Sequence, residues 1–312
     1  MRTLREHLDE YMAFRKARGL VVSMKIERML AQFISSLPNP GKGAPVFTTG
    51  DALVWVNAPS GAKPAWLSAR LSMVRQFAIY LAGSGIEVEV PSPRLVPGGG
   101  GRAVPYIYTS GDIQSLIEAA HGLQQPLRAA TMGILIGLLS VTGMRIGEAL
   151  GLDVGDLDPG RQTLLVRNAK LSRQRVVMLH ESTCRVIQED YLGSAPRADF
   201  RLDPDAPLLT NTLGARLAIG TVNEAWARIR KGADLPPRPG ARPRLHDLRH
   251  TFATQTMVDA YAQGRTAGQS MAALAVWLGH SSPVFTYWYL QAVPELAAAA
   301  IARLDAAEGV HR

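Results

Sequence analysis

The chain has 312 residues, a formal charge of +8, 47% hydrophobic and 19% charged residues, and a mean hydropathy of +0.02. That is too long for one small module and too apolar for a disordered tail, so one large or two medium globular domains are expected and collagen and coiled coil drop out. Six of its 34 basic residues are lysines and 28 are arginines; the guanidinium fork pairs bidentately with phosphate, which makes nucleic acid the leading partner and an arginine-rich solvated surface the plainer alternative.

The first ten residues carry charges where a signal peptide needs an apolar stretch. Apolar residues then recur at helical spacing at Leu4, Leu8, Tyr11 and Met12, at Val22, Ile26, Met29, Leu30 and Phe33, and at Leu67, Leu71, Val74, Phe77 and Leu81. Thr49 reads as the N-cap of a shorter helix between the last two groups. A small helical bundle is expected, with Lys25, Arg28, Arg70 and Arg75 on its outward faces, either tracking a phosphate backbone or forming a solvated surface.

Pro/Gly-rich breaks fall at 37–45, 57–64 and 91–105, the last with four consecutive glycines among four prolines. It marks the boundary between an N-terminal domain of residues 1–92, a linker of residues 93–105 and a second domain of residues 106–312. The glycine run lacks a following Lys-Ser or Lys-Thr and reads as a hinge, not a phosphate loop.

Ser110 reads as the cap of the next helix, and residues 126–150 as one long apolar helical stretch. Its greasiest run, Thr131 to Met144, is shorter than the ~18 to 20 residues of a membrane span. Residues 163–167 and 175–179 are rich in Val and Leu around the basic interval 168–174, which predicts a β-hairpin with a flexible basic tip; Arg173 in the tip and Arg175 at the start of the second strand are expected at DNA. Cys184, the single cysteine, excludes an internal disulfide framework and multi-cysteine zinc sites, and reads as a buried small hydrophobe. The rest is helical again, so the fold class is mainly α with a small β-hairpin or sheet. A cytoplasmic location is expected.

Three segments combine residue types suited to phosphate chemistry: Thr142 to Leu150 (TGMRIGEAL), Leu245 to Thr254 (LHDLRHTFAT), and Trp277 to Leu290 (WLGHSSPVFTYWYL). On a helix His246 and Arg249 share a face and can address one substrate. A phenol is a poor nucleophile at pH 7 because its pKa is about 10, so it needs a base and an electropositive acceptor. Guanidinium forks aimed at the non-bridging oxygens stabilise the charge that builds on them during attack. A lysine can return a proton to the departing sugar oxygen.

These segments together resemble the tyrosine recombinases, the family of phage integrases, Xer resolvases and transposon recombinases. Arg145 and Glu148 match the family's T-G-x-R-x-x-E segment, His246 and Arg249 its His-x-x-Arg box, and Leu278 to Ser282 its L-G-H-S-S segment with His280 as second histidine. The resemblance places a lysine at the hairpin tip, which selects Lys170, the only lysine between Lys63 and Lys231. It places the nucleophile nine residues after His280, which selects Tyr289 over Tyr287. By the same likeness Glu148 orients Arg145, no cofactor or metal takes part, and two domains form a C-shaped clamp on a duplex recombination site. Four protomers would assemble there, exchanging the Ala-rich C-terminal segment that begins at Pro294.

Plainer readings stand beside these. His246 and His250 resemble half of a helical zinc site, but the intervening Asp-Leu-Arg lacks the glutamate base and sets a cation beside the metal, so His250 is expected to support the site from behind. Arg244 joins the residues expected at DNA. A type IB topoisomerase-like enzyme and a non-catalytic DNA-binding relative are the two alternatives; the helical N-terminal domain argues against the first, and the complete set of site residues against the second. The segment around Tyr289 looks more like transposon or integrated-element recombinases than Xer proteins.

Overall fold

The computed structural model describes residues 2–20, 24–38, 45–97, 103–169, 173–198 and 203–279. The chain divides into two compact units, Met1–Arg102 and Ala103–Arg312.

The first unit has four helices, α1 (Leu4–Ala17), α2 (Met24–Ser35), α3 (Thr49–Asn57) and α4 (Pro64–Gly83). Thr3 and Glu6 close a capping box on α1, and Pro64 opens α4, where a missing N–H costs nothing. The cap of α3 is Thr48 instead of Thr49, because only Thr48 stands three residues before the carboxylate of Asp51 that returns the bond. Leu8, Leu30, Phe33, Phe47, Val74 and Phe77 fill the core, with Phe33 edge-on to Phe47 at 5.0 Å between ring centroids.

Arg70 departs from its expected outward face. It is only 7% exposed, donates to the Trp55 carbonyl at 2.5 Å and lies 3.5 Å over the Trp55 ring, so its charge is spent on holding α3 to α4. Arg75 donates to the Pro91 carbonyl at 2.8 Å, and Lys25 sits 4.4 Å from the Trp66 ring centroid. Arg28 is exposed.

The second unit begins with α5 (Ser110–His121), whose cap is Thr109 bonded with Asp112, again a Thr three residues before an acid, and not Ser110. The stretch expected as one helix from 126 to 150 is two, α6 (Pro126–Thr142) and α7 (Ile146–Leu150), broken at Gly143. Gly143 ends α6 in the left-handed conformation, φ 62°, with its N–H on the Leu139 carbonyl. A Cβ there would lie 2.4 Å from Phe252 Cδ1 and 3.0 Å from Leu278 Cδ2. Gly143→Ala should therefore destabilise this unit by about 2 to 4 kcal/mol, from left-handed strain and overpacking together, visible as a lowered melting temperature. A melting temperature equal to wild type would show that neither constraint operates.

After α7 come β1 (Leu157–Asp158), β2 (Thr163–Ala169) and β3 (Arg173–Met178), an antiparallel sheet in that order. The hairpin is as expected; the short β1 adds a third strand to it. Leu164 and Val166 on β2, with Val177 and then Leu179, face the core, where Leu135, Leu139 and Leu248 are also buried. Cys184, 4% exposed in α8 (Glu181–Arg185), packs as a small hydrophobe. The described chain continues through a π-helical turn (Val186–Leu192), α9 (Ala195–Ala198), α10 (Ile219–Gly232), α11 (Asp247–Ala262) and α12 (Ala267–Trp277). Among the described residues no helix is long and apolar enough to cross a membrane.

Candidate active site

The break at Gly143 does more than end a helix. It turns the chain so that Arg145 caps α7 and leaves the side chain 32% exposed while its Nη1 donates to Glu148 Oε1 at 2.8 Å. The Arg145 amide donates to Glu148 Oε2, also at 2.8 Å. Glu148 is buried and takes a second guanidinium from β3: Arg175 donates through Nη1 at 3.0 Å and Nη2 at 2.7 Å, one bond to each oxygen. Burial would raise the Glu148 carboxyl, but the Arg175 bonds and the Arg145 amide override it and hold it at about 2.

Arg249 lies in the first turn of α11 and is 3% exposed. Its Nη1 donates to the Gly143 carbonyl at 2.8 Å and its Nη2 to the Leu278 carbonyl at 2.9 Å. Arg145 Nη2 makes a longer 3.5 Å contact with the Gly279 carbonyl. Two guanidinium groups more than a hundred residues apart thus meet at the same turn after α12. Trp277 Nε1 secures that turn by donating to the Thr142 carbonyl at 2.9 Å.

His246 heads α11 and keeps solvent exposure. The turn before it is rigid. Asp247, fully buried, accepts from the Arg244 amide and guanidinium at 2.8–3.2 Å, Tyr108 donates its hydroxyl to the Arg244 carbonyl at 3.0 Å, and Thr251 links the Tyr108 amide to the Asp247 carbonyl. Burial, followed by the charge of Asp247, pushes the Tyr108 phenol far up, so it remains a neutral donor. Burial and then Arg249 push the His246 imidazole down, with weaker effects of the same sign from Arg244 and Arg145 and an opposing one from Asp247.

His246 is consequently neutral at pH 7 and able to accept a proton. As a depressed pKa keeps the neutral form to lower pH, any rate that needs His246 as a base should stay level through pH 7 and decline only below the ordinary histidine value of about 6.5. Single-turnover rates between pH 5 and 8 test this; an acid limb centred above that value rules out such a role.

The structure therefore brings Arg145, Glu148, His246 and Arg249 together. His250 stands behind His246, rings edge to face at 4.9 Å. Among the described residues no cluster of three or more His, Cys, Asp or Glu side chains could hold a metal ion. Lys170, His280 and Tyr289 and the side chain of Arg173 lie outside the described residues. Arg175, expected at DNA, is instead turned inward with its side chain 12% exposed, because strand alternation puts it on the face of Val177 and Leu179. Arg244 keeps partial exposure, with its guanidinium engaged by Asp247.

A model of the phage integrase family matches residues 107–295. The integrase/recombinase y4rB of Sinorhizobium fredii is 36% identical over 98% of both chains. Tyrosine recombinase XerC of Mycobacterium tuberculosis is 26% identical over 93% of this chain and 94% of its own. Among solved structures, the Tn1549 transposon integrase in complex with transposon right end DNA superposes with a TM-score of 0.64 at 18% identity, covering 97% of this chain and 100% of that one. A lambda integrase dimer bound to a core site gives 0.63 at 19% identity, covering 92% and 95%.

Proposed function

The chain belongs to the phage integrase family and is a tyrosine recombinase, an enzyme that cuts and rejoins DNA at specific sites; from that premise we propose how its residues divide the chemistry. Tyr289 attacks the scissile phosphate, forming a 3′-phosphotyrosyl bond as the bond to the 5′ oxygen breaks. Neutral His246 takes the phenol proton. Arg145 and Arg249 bind the non-bridging oxygens, whose charge rises in the transition state. Lys170 gives a proton to the departing 5′ oxygen, and His280 hydrogen-bonds the phosphate. Attack of another strand's 5′ hydroxyl on the phosphotyrosine reverses each step and reseals the DNA without loss of bond energy.

The observation that carries this division is the meeting of Arg145 and Arg249 at the carbonyls of Leu278 and Gly279, the residues that lead directly into His280. The domains bounded as 1–92 and 106–312 are proposed to close on duplex DNA through the 93–105 linker, with Lys25 and Arg28 on phosphates. A tetramer on two duplexes is proposed as the working assembly, in line with the solved lambda integrase tetramer bound to a Holliday junction. The enzyme acts in the cytoplasm on nucleoid DNA, as the recombinase of a mobile element. A nicked suicide duplex carrying the ends of that element tests the reading. A covalent protein–DNA adduct followed by strand transfer supports it; relaxation of supercoils without strand transfer favours a topoisomerase, and binding without an adduct favours a non-catalytic relative.

A further inference from the structure

Arg175 sits where a cation is costly. Along β3 and just beyond it, residues 175, 177 and 179 point to the core and 174, 176 and 178 to solvent, with Val177 1% and Val176 59% exposed. A guanidinium on that inner face needs a fixed anionic partner. Glu148 supplies both oxygens, and the same carboxylate holds the amide and Nη1 of Arg145. Arg175 also lies under the turn that Arg145 reaches: a Cβ on Gly279, whose φ is 64°, would be 2.9 Å from Arg175 Nη1.

We infer that Arg175 is a positioning residue for DNA cleavage, which neutralises and fixes Glu148 so that Arg145 stays oriented and charged toward the phosphate, and that it does not contact DNA itself. The inference rests on the proposed role of Arg145. Paired with Glu148 alone, Arg145 would form a neutral ion pair and its field at the phosphate would weaken. With Arg175 present the three groups keep a net positive charge. Among the described residues, the charged groups bonded to Glu148 are Arg145 from its own segment and Arg175 from β3.

The test compares Arg175→Met, Arg175→Met with Glu148→Gln, and Arg145→Ala in single-turnover cleavage of a nicked duplex from pH 5.5 to 9, alongside duplex affinity against salt. Arg175→Met should cleave about 10²-fold more slowly at pH 7, the scale of a misplaced catalytic group. Its affinity and salt slope should be unchanged. Adding Glu148→Gln, which restores the net positive charge of the cluster and keeps an acceptor for Arg145, should recover about tenfold. If Arg175→Met alone does not fold, the double variant decides, and one as slow as Arg145→Ala overturns the inference. So does Arg175→Met cleaving at the wild-type rate, or losing affinity with a salt slope smaller by about 1, the sign of a direct phosphate contact. Wild-type cleavage by Arg145→Ala would instead remove the reading of Arg145 on which the inference stands.

Discussion

Arg145→Ala is expected to cut single-turnover DNA cleavage by on the order of 10³-fold or more while duplex affinity stays within about tenfold of wild type. The separation follows from where the side chain is spent. Its bonds to Glu148 are structural in only a limited sense, because Glu148 keeps the bidentate Arg175 pair when Arg145 is shortened. The melting temperature should therefore change little. What disappears is a preorganised guanidinium at the phosphate, an interaction that strengthens as charge builds in the transition state. Arg249→Ala should lose as much activity and behave differently in stability. Its guanidinium is 3% exposed and satisfies the Gly143 and Leu278 carbonyls, so alanine leaves two buried acceptors without these donors, at about 1–3 kcal/mol each. Arg249→Lys should recover part of the stability and little of the rate, since one ammonium cannot reproduce the fork. Wild-type cleavage by either alanine variant would refute the assignment of the phosphate-binding pair.

The contrast between the two arginines shows what the sequence could express. Spacing put His246 and Arg249 on one helical face, and the T-G-x-R-x-x-E segment singled out Arg145 and Glu148; the folded chain assembles all four. The glycine in that segment also carried a signal that apolar periodicity obscured. A helix through Gly143 would leave Arg145 continuing α6, whereas the left-handed residue ends that helix and swings the arginine to the head of the next. Composition does not separate an outward cation from one turned inward: Arg70 is buried where an outward face is expected, and Arg175 faces inward on β3. For Arg175 the inward face is legible in the strand. With Val177 and Leu179 as core residues, period-2 alternation alone puts Arg175 on the inner face, and an inner arginine asks for a carboxylate. For Arg70 nothing local distinguished it, because its partner is the Trp55 carbonyl on a different helix. The caps at Thr48 and Thr109 were legible as Thr-x-x-Asp, a reciprocal pair that the neighbouring Thr49 and Ser110 cannot make.

Tyr289→Phe is expected to abolish the covalent DNA adduct, with no residual rate measurable above background, while Tyr287→Phe retains it. Removal of the hydroxyl deletes the atom that must bond to phosphorus. The family pattern counts nine residues from His280 to the nucleophile, which selects Tyr289. The two variants share composition, aromatic volume and almost all apolar area, so a difference between them cannot come from packing alone. Denaturing gels of the nicked duplex read the outcome directly. An adduct that survives Tyr289→Phe and vanishes with Tyr287→Phe would move the nucleophile by two positions. It would leave Arg145 and Arg249 in place, because their convergence at the turn of Leu278 and Gly279 does not depend on which phenol follows.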